Sequence, residues 1–500
     1  MHVSSEELDK LAGDILGRFE NAAPSPKERA QIPAQEMPAQ DPVERVRNMR
    51  EVALGYTPSQ VRAESLRCLQ CRNKPCIQGC PVSIDIPAFI AEAAKGNFAR
   101  AAEIINESSL LPAICGRVCP QENQCQKYCT LGKMLKDIDK SVAIGRIERF
   151  VADYARENRC EKVPHVAAET GMRAAVVGSG PASISAAADL RREGHGVVMF
   201  EALHKAGGVL VYGIPEFRLP KAIVRHELDN LKAMGVQIRL NFLVGKTRRI
   251  SDLMGKDGFD AVFVGSGAGL PKFLNIPGEN HVGVFSANEY LTRSNLMKAY
   301  DIGAARTPMF ASRRVAVFGG GNVAMDSART AKRLGAGTVT VIYRRTGAEM
   351  PARKEEVAHA GEEGVEFMFL HAPLEITADD RGRVSGVKLI ECRLGEPDAS
   401  GRRSPVEIPG SEKHCAYDTV IVAIGNASNP LIKATTEGID VNRHGNFIVN
   451  EETCETTLPG VYAGGDIVLG AATVIQAMGQ GRKAAKAMNA YLAAKRQVRA

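Results

Sequence analysis

Two segments of the chain share one pattern, in which a short β-branched run passes through a glycine-rich turn into an alanine-rich stretch. The first covers residues 173–201 and the second covers residues 314–345. Strands that alternate with helices in this way predict βαβ units on a parallel sheet. Because the pattern occurs twice, we expect two separate nucleotide-binding domains of the Rossmann type.

The first glycine turn has the spacing that brings a backbone close to a pyrophosphate at a helix N-terminus. Ser183 stands where a third glycine is usual, and its small side chain should still permit close helix-strand packing. Glu201 ends the return strand, where it would accept a hydrogen bond from a ribose 2′-hydroxyl, as in FAD or NAD. The cofactor-binding candidates in this segment are Gly178, Ser179, Gly180, Pro181, Ala182 and Glu201.

The second glycine turn leads to a return strand that ends without an acid. Arg344 and Arg345 stand there instead, and guanidinium groups fit the 2′-phosphate of NADP(H). The alternative is that both arginines are merely solvated after an edge strand. The cofactor-binding candidates in this segment are Gly319, Gly320, Gly321, Asn322, Val323, Arg344 and Arg345.

Eight of the twelve cysteines fall between residues 68 and 129. They form two runs, Cys68-x2-Cys71-x4-Cys76-x3-Cys80-Pro and Cys115-x3-Cys119-Pro-x4-Cys125-x3-Cys129. Closely spaced thiolates suit either a tetrahedral zinc ion or an iron-sulfur cluster. Proline directly after cysteine favours iron-sulfur, and in two-cluster ferredoxins the last cysteine of such a run binds the other cluster. Zinc and inert thiols are the alternatives.

Composition narrows the class of protein further. With 44% hydrophobic and 24% charged residues the chain is of globular type, and a net charge of +7 is too small to indicate nucleic acid binding. The first residues lack a secretory signal pattern, and no apolar run reaches the ~18 residues of a membrane span. We therefore expect a soluble, cytoplasmic protein, in which a cysteine cluster holds metal rather than disulfides.

The motifs in residues 68–81, 114–122 and 143–150 resemble those of the glutamate synthase small subunit family. That family also includes the large subunit of NADH-dependent ferredoxin:NADP oxidoreductase and the N-terminal part of dihydropyrimidine dehydrogenase. The resemblance runs from about residue 38 to the C-terminus and is greatest to the ferredoxin:NADP oxidoreductase branch. It implies FAD, NADP(H) and two [4Fe-4S] clusters.

The resemblance also implies how the clusters are held. One cluster would be bound by Cys68, Cys71, Cys76 and Cys129. The other would be bound by Cys80, Cys119, Cys125 and Glu148, because the family places a Glu or Gln at the position of Glu148. Cys115 would then bind nothing. The alternative makes Cys115 the fourth ligand and Glu148 a solvated helix residue.

A further glycine-rich motif, Gly460-Val-Tyr-Ala-Gly-Gly-Asp466, lies near the C-terminus. Its resemblance to flavin disulfide-reductase folds implies that Asp466 contacts the FAD ribityl chain and that the following helix start faces the flavin. The remaining candidates from this resemblance are Gly465, Thr473 and Val474, with Gly207, Gly208 and Leu210 in a second flavin-proximal stretch. The alternative is that these glycines only form turns.

The expected fold class is α/β: a helical two-cluster ferredoxin-like domain, then two Rossmann-like domains of flavin disulfide-reductase type, with the NADP domain inserted in the FAD domain. An amphipathic helix over residues 4–22 and a proline-rich tether, either docked or loosely held, precede them. The expected segments are 1–42 (helix and tether), 43–165 (iron-sulfur), 166–288 (FAD, first part), 289–415 (NADPH) and 416–500 (FAD, second part).

FAD would be the reactive group, and no side chain is assigned a catalytic role. A flavin exchanges a hydride, which carries two electrons, with NADPH and single electrons with clusters, so it would stand between them. We expect a second redox protein to exchange electrons with the chain. One candidate is a ferredoxin. Another is the small subunit of a ferredoxin:NADP oxidoreductase, which carries a flavin and a [2Fe-2S] cluster and belongs to an enzyme that bifurcates electrons or does not. The last candidate is the large subunit of glutamate synthase. A non-autonomous relay module is the third hypothesis.

Overall fold

The computed structural model describes residues 4–301, 303, 305–398 and 401–499. In these residues the helices are α1 (Ser5–Gly17), α2 (Pro26–Gln31), α3 (Pro42–Arg45), α4 (Pro58–Leu66), α5 (Pro75–Gln78), α6 (Ile86–Lys95), α7 (Phe98–Ser108), α8 (Pro112–Val118), α9 (Thr130–Met134), α10 (Ile144–Glu157), α11 (Pro181–Arg192), α12 (Val209–Tyr212), α13 (Lys221–Ala233), α14 (Ile250–Gly255), α15 (Ala287–Leu291), α16 (Asn322–Arg333), α17 (Lys354–Glu362), α18 (Leu431–Thr435), α19 (Asp466–Leu469) and α20 (Val474–Arg499). Within the same ranges, no helix is both long and apolar enough to span a membrane.

The strands are β1 (Arg173–Val177), β2 (Gly196–Phe200), β3 (Gln237–Arg239), β4 (Ala261–Val264), β5 (Leu270–Pro271), β6 (Val284–Ser286), β7 (Arg314–Phe318), β8 (Thr338–Tyr343), β9 (Glu366–Phe369), β10 (His371–Ala378), β11 (Val384–Pro397), β12 (Arg403–Glu407), β13 (Lys413–Cys415), β14 (Thr419–Val422), β15 (Asn426–Ala427) and β16 (Val461–Ala463). Short 3-10 turns cover Gln121–Asn123, Gln126–Tyr128, Ile138–Lys140 and Gly347–Glu349, and a π turn covers Thr292–Leu296.

The N-terminal helix and the tether pack on the same chain. α1 buries Leu8 and Ile15, and Ile15 shares an apolar cluster with Ala63 of α4. The tether is held by Glu64, whose carboxylate accepts a 2.8 Å hydrogen bond from the backbone N–H of Gln35. Of the two expectations for this segment, docking on a neighbouring element is the one that the structure shows.

Helices α3 to α10 form the helical domain expected before the first sheet. α8 and α10 approach closely at Gly116, where a Cβ atom would lie 2.6 Å from the backbone nitrogen of Arg149. A second glycine, Gly145, lies against the Gln121 side chain in the same way, so that a Cβ atom there would clash with Nε2. These two contacts place Cys115 of α8, and Cys119 directly after α8, next to the buried face of α10.

The first sheet has the strand order β16-β4-β1-β2-β3, and its neighbouring pairs are parallel. β1 is buried from Ala174 to Val177, as its apolar run predicts for a strand covered on both faces. α20 packs on α11 at Gly481, where a Cβ atom would clash with the Ala182 carbonyl oxygen. The C-terminal segment therefore completes the first nucleotide-binding domain.

The second sheet has the order β6-β14-β7-β8-β9, and its neighbouring pairs are also parallel. β6 and β14 belong to it, although both lie outside the expected range 289–415. The strand pairing thus widens the second domain on both sides, because these two strands complete the sheet beside β7. The short antiparallel pair of β5 and β15 joins the two domains.

An antiparallel sheet of β10 to β13 belongs to the second domain and was not expected. β11 pairs with β10, β12 and β13. Burial along β11 comes close to alternating between the two faces, which is typical of a sheet with one solvated side. Its sequence signal is weak, since charged residues interrupt the apolar ones.

Candidate iron-sulfur and nucleotide sites

Four cysteines from separate parts of the iron-sulfur domain line one cavity: Cys68, Cys71, Cys76 and Cys129. We call them the outer cysteine group. Burial raises the pKa of Cys68 to about 11, and the neighbouring Cys129 and Cys71 add to this rise. The same causes raise the pKa of Cys76 to about 12. A bound cation would reverse this effect by favouring the thiolates, so the donor set fits a metal cluster.

Tight turns bring the late Cys129 to the earlier cysteines. Lys74 has a left-handed φ of 41°, which reverses the chain before α5. Gly79 lies against the ring of Tyr128, where a Cβ atom would lie 2.6 Å from Cδ2. Cys71 Sγ lies 3.2 Å from Thr130 Oγ1. The grouping that the family resemblance implied for one cluster is therefore brought together in space.

A second set, the inner cysteine group, comprises Cys80, Cys119 and Cys125 with Glu148. Burial raises the pKa of Cys80 to about 11, with further increases from Glu148 and Cys119. Burial likewise raises the pKa of Cys125, with Glu148 and Cys80 adding to it. These mutual effects indicate that the four side chains lie in one region of the domain.

Glu148 is the least satisfied member of the inner group. Its Oε1 atom is buried and has no hydrogen-bond partner, and burial raises the pKa of the carboxyl to about 8. A buried, unpartnered carboxylate oxygen is costly unless it meets a cation. Glu148 beside three thiols therefore fits the role of a cluster ligand, and a solvated helix position is not what the structure shows.

Cys115 lies next to the same group. Its Sγ is 3.5 Å from the Met478 Sδ atom of α20, and a hydrogen bond with Cys119 and burial raise its pKa. Cys115 is therefore within reach of the cluster region as well. Its position alone does not decide between Cys115 and Glu148, and the assignment of Glu148 stays a prediction.

A site for a single metal ion needs ligands that lie closer together than the ligands of a [4Fe-4S] cluster. Among the residues that the structure describes, no three Cys, His, Asp or Glu side chains converge tightly enough to hold a single metal ion. A [4Fe-4S] cluster binds one protein ligand at each iron, so its ligands stand around a larger body.

The geometry of the first glycine turn fits a phosphate cradle. Gly178 has a φ of +93°, and a Cβ atom there would lie 2.5 Å from the Gly265 carbonyl oxygen. Gly180 caps α11, and a Cβ atom there would meet nothing within 4 Å. Pro181 begins the helix, whose free N–H groups suit an anion. The open space at Gly180 fits a nucleotide pyrophosphate.

Ser183 occupies the position of the usual third glycine and is fully buried. Its hydroxyl lies 3.4 Å from the Gly265 carbonyl oxygen. The hydroxyl thus fills the helix-strand contact and hydrogen-bonds to the strand end. Ala182 beside it is also buried. The substitution is accommodated, as the sequence predicts.

Glu201 directly follows β2 and is buried beside the glycine turn. One carboxylate oxygen accepts a hydrogen bond from Ser179 Oγ, and the other accepts one from the Leu203 backbone N–H at 2.8 Å. Ser179 Oγ in turn accepts a 2.9 Å hydrogen bond from the Gly207 N–H. Each carboxylate oxygen has two lone pairs, so Glu201 can still accept from a ribose hydroxyl. Ser179 therefore joins both glycine stretches through its side chain.

The flavin-proximal stretch packs onto the glycine turn. Gly208 has a φ of +56°, and a Cβ atom there would lie 2.9 Å from Gly180 Cα. Gly207 has a φ of +122° and lies close to Val211. Leu210 of α12 is fully buried. Both glycines are needed for this close backbone approach.

Asp466 begins the short helix α19 beside the same turn. Its Oδ1 accepts a 3.1 Å hydrogen bond from the Ala472 N–H, and burial raises its pKa to about 6. Burial raises the pKa of Tyr212 to about 12, and the nearby Asp466 and Glu201 add to this rise. Gly465 has a φ of +80° and approaches the start of α11. The three FAD-motif segments therefore converge on one region.

The iron-sulfur domain packs directly on the start of α20. Thr473, just before Val474, accepts a 3.0 Å hydrogen bond from the Gln124 side chain. Gly479 lies against Pro81, where a Cβ atom would lie 2.8 Å from the proline carbonyl oxygen. Gln124 and Pro81 are each adjacent to a cysteine of the inner group. The inner cysteine group and the FAD motifs therefore both lie against α20.

The second glycine turn repeats this arrangement before α16. Gly319 has a φ of +143°, and a Cβ atom there would clash with the Ala423 carbonyl oxygen. Gly320 faces the Tyr343 ring, and Gly321 caps α16, where a Cβ atom would make one ordinary contact, with Pro351 Cγ at 3.9 Å. The opening at Gly321 fits a second dinucleotide.

The residues after this turn have separate roles. Asn322 Oδ1 accepts a 2.9 Å hydrogen bond from the Arg353 N–H, and Val323 is partly exposed. Arg344 is exposed, whereas Arg345 is buried. Arg345 pairs with Asp398 at 2.7 Å and donates to a backbone carbonyl. The two arginines are therefore not equivalent, and Arg344 is the one presented to solvent.

Sequence reasoning missed a polar junction between the domains. A polar cavity lies where the iron-sulfur domain meets both nucleotide domains, and it is lined by Arg117, Arg218, Arg353, Glu355 and Glu356, among others. Arg218 pairs with Asp326 at 2.7 Å. Motif searches cannot find such pairs, since 108 residues separate these two partners.

Known proteins match both parts of the chain. Residues 45–160 match the family model described as dihydropyrimidine dehydrogenase domain II, 4Fe-4S cluster. Residues 172–481 match the model described as pyridine nucleotide-disulphide oxidoreductase. The Mycobacterium tuberculosis FprA structure in complex with NADPH has a TM-score of 0.54 at 19% identity, covering 66% of this chain and 86% of that chain. This likeness shows the fold alone.

Relatives extend the match along the chain. The glutamate synthase (NADPH) small chain of Escherichia coli K12 is 37% identical over 448 residues, which is 88% of this chain and 93% of that protein. The NADP(+)-dependent formate dehydrogenase subunit beta of Moorella thermoacetica is 38% identical, over 84% of this chain and 60% of that protein. The NADPH-Fe(3+) oxidoreductase subunit beta of Geobacter sulfurreducens (strain DL-1 / KN400) is 33% identical, over 89% and 68%.

These matches confirm the fold class and the cofactors expected from the sequence, which are FAD, NADP(H) and [4Fe-4S] clusters. They also confirm that the chain is an enzyme rather than a binding module. The chain belongs to the glutamate synthase small chain family within the pyridine nucleotide-disulphide oxidoreductases, and it is an NAD(P)H-dependent flavin iron-sulfur oxidoreductase.

Proposed function

We propose that the chain exchanges electrons between NADP(H) and a separate one-electron redox protein, through FAD and two [4Fe-4S] clusters, as a ferredoxin:NADP oxidoreductase does. The observation that carries the proposal is the order of the sites in the fold. The inner cysteine group packs on α20 beside the FAD motifs, whereas the outer cysteine group is partly exposed. Electrons can therefore leave at the protein surface.

Only part of the inner cysteine group is buried. Cys119 and Glu148 are buried, whereas Cys80, Cys125 and each cysteine of the outer group keep some exposure. Cys76 of the outer group and Cys80 of the inner group are separated by one turn of chain around Gly79. A relay from the inner to the outer group follows from this arrangement, with the outer group as the terminal site.

When bound, FAD supplies the exchange between the hydride of NADPH and single electrons, which the clusters accept one at a time. The chain's own residues bind and orient the cofactor. The cradle at Gly180 and Glu201 would hold the adenine half of FAD, and the Asp466 loop would hold the ribityl end. The N-terminus of α20 lies beside that loop, where its dipole favours negative charge.

One NADPH supplies two electrons, so the balanced reaction reduces two one-electron acceptors and leaves NADP+ and one proton. The test uses the reconstituted full chain, with NADPH as donor and an oxidised ferredoxin or a viologen as acceptor. Turnover supports the proposal and excludes a non-autonomous relay module. Reduction of FAD by NADPH without any transfer to these acceptors would contradict it.

A second candidate is the small subunit of an NADPH-dependent glutamate synthase, which passes electrons to a large glutamine-converting subunit. The match to 93% of the length of the Escherichia coli small chain favours it. Purification of the native complex separates the candidates. A small flavin and [2Fe-2S] partner supports ferredoxin chemistry, and a large amidotransferase supports glutamate synthesis. Electron bifurcation requires the first kind of partner. A cytoplasmic location is part of the same proposal.

A further inference from the structure

The surface beside the outer cysteine group carries an excess of positive charge. Four exposed cations stand within seven residues of a cysteine of that group: Arg72, Lys127, Lys133 and Lys136. We call them the basic face. None of the four has an ion-pair partner within the described ranges of the chain, and Lys133 lies over the Tyr128 ring at 5.5 Å.

The acids near this face are already paired. Asp85 lies 2.7 Å from Lys74, and Asp137 lies 3.6 Å from Lys140. Asp139 pairs with Lys354 of the second nucleotide domain at 2.9 Å. The four cations of the basic face are therefore an uncompensated charge, which attracts an acidic surface over about a Debye length.

The backbone ties the basic face to the outer cysteine group. Lys133 lies one helical turn after Cys129, and its N–H donates to the Cys129 carbonyl oxygen at 3.1 Å. Lys136 follows in the next turn, with a 3.2 Å hydrogen bond to the Lys133 carbonyl oxygen. Arg72 directly follows Cys71. A protein that contacts these cations lies over the partly exposed cysteines.

The apolar part of the surface is small. Tyr128, Met134 and Ile138 are exposed by 37%, 52% and 44% among the cations. A permanent subunit interface is usually larger and more apolar, whereas transient redox encounters use small faces steered by charge. The composition of this face therefore favours a carrier that binds and leaves.

We propose that the basic face is the docking site of a small, acidic one-electron carrier protein that exchanges electrons with the outer cluster. This inference rests on the function proposed above and adds the place and the charge of the partner. Each docked carrier takes one electron and the cluster loses one, so two carriers are reduced for each NADPH oxidised. In the reverse direction, two reduced carriers supply the pair.

The test uses the reconstituted full chain and a strongly acidic [2Fe-2S] ferredoxin as the probe. Binding of the oxidised proteins is measured by calorimetry at low and at physiological ionic strength. The variant is Lys127→Gln/Lys133→Gln/Lys136→Gln. Its matched control is Lys246→Gln/Lys388→Gln/Lys486→Gln, three exposed lysines outside the iron-sulfur domain that have no ion pair in the described structure.

We expect the basic-face variant to weaken ferredoxin binding about tenfold at low ionic strength and to lose most of the salt dependence. The control should bind like the unchanged protein, and iron analysis should show both clusters in each variant. Equal affinity of the basic-face variant and its control would overturn the proposal. Loss of a larger copurifying subunit from the variant, with ferredoxin binding unchanged, would also overturn it.

The two proposals fail in different assays. Binding requires no turnover, so a chain that binds ferredoxin but transfers no electrons from NADPH contradicts the proposed function and not the docking site. In turnover, the variant should raise KM for ferredoxin and leave the rate with a small viologen unchanged. A lower viologen rate with intact clusters would place the lysines in internal electron transfer and contradict the docking role.

Discussion

Arg45 and Glu363 form a buried ion pair between the start of the iron-sulfur domain and the second nucleotide domain. Arg45 Nε lies 2.8 Å from Glu363 Oε1, and the two side chains are 1% and 0% exposed. Glu363 also accepts hydrogen bonds from Arg329 and Arg333 of α16. Because α16 begins at the second glycine turn, this pair ties the helix proposed to bind NADP(H) to the iron-sulfur domain.

Replacing Glu363 should therefore destabilise the protein strongly. Glu363→Gln leaves buried guanidinium groups without their carboxylate, and breaking such a pair costs about 3–5 kcal/mol. Glu362→Gln is the matched control, because Glu362 pairs with the same Arg45 while its side chain is 49% exposed. We expect a change below about 1 kcal/mol for the control. Thermal unfolding of the two holoproteins measures the difference, and equal melting temperatures would contradict this role for Glu363.

The polar junction between the domains also predicts that the protein loses stability in acid. Burial opposes ionisation of Glu356, yet Arg218 and Arg329 lower its pKa from 4.5 to about 2. A carboxylate with a lowered pKa stabilises the fold above its unfolded pKa, and that contribution is lost as the pH falls from about 4.5 towards 2. The Tm difference between the unchanged protein and Glu356→Gln should therefore shrink across this window. A constant difference from pH 7 to pH 3 would show that the carboxylate charge does not contribute.

The assignment of the inner cluster makes opposite predictions for two neighbours. Cys115→Ser should keep the iron content and the EPR signals of both clusters, because Cys115 is assigned no iron. Glu148→Ala should lose the inner cluster and keep the outer one. Glu148→Gln should retain both clusters with a shifted reduction potential, because a neutral ligand changes cluster charge. If Cys115→Ser loses a cluster while Glu148→Ala keeps both, the fourth ligand is Cys115.

The nucleotide preference should depend on Arg344 more than on Arg345. Arg344 is exposed, whereas Arg345 is held by Asp398. Losing one charge-assisted contact to a 2′-phosphate costs about 1.4 kcal/mol, so Arg344→Gln should raise KM for NADPH about tenfold and leave KM for NADH nearly unchanged. Steady-state kinetics with a viologen acceptor measures both constants. An equal rise for the two nucleotides would contradict a role in phosphate recognition.

Local motifs made much of this molecule predictable. The two glycine turns were predictable from the sequence because Gly178 and Gly319 need positive φ values that few residues adopt. The Cys-Pro pattern indicated that a cysteine run is divided between two clusters, but only the family resemblance grouped Cys129 with Cys68, Cys71 and Cys76. Spacing alone does not show this grouping.

Contacts between domains were not predictable. Arg45 and Glu363 are separated by 318 residues, and a single charged residue carries no signal of its partner. The different positions of Arg344 and Arg345 could not be predicted from the sequence either, because the ion pair of Arg345 with Asp398 depends on the fold. The strands β6 and β14 lie outside the expected range 289–415, because a short apolar run does not show which sheet it pairs with.

The central claim is that electrons pass between NADP(H) and the clusters through FAD. Anaerobic rapid mixing of the reconstituted chain with NADPH, followed by absorbance and freeze-quench EPR, tests it most directly. The account predicts that the flavin absorbance bleaches first and that reduced [4Fe-4S] signals follow. Flavin bleaching would contradict this account if no cluster signal follows, even with excess NADPH and a low-potential acceptor present. Cluster reduction in protein stripped of FAD would also contradict it.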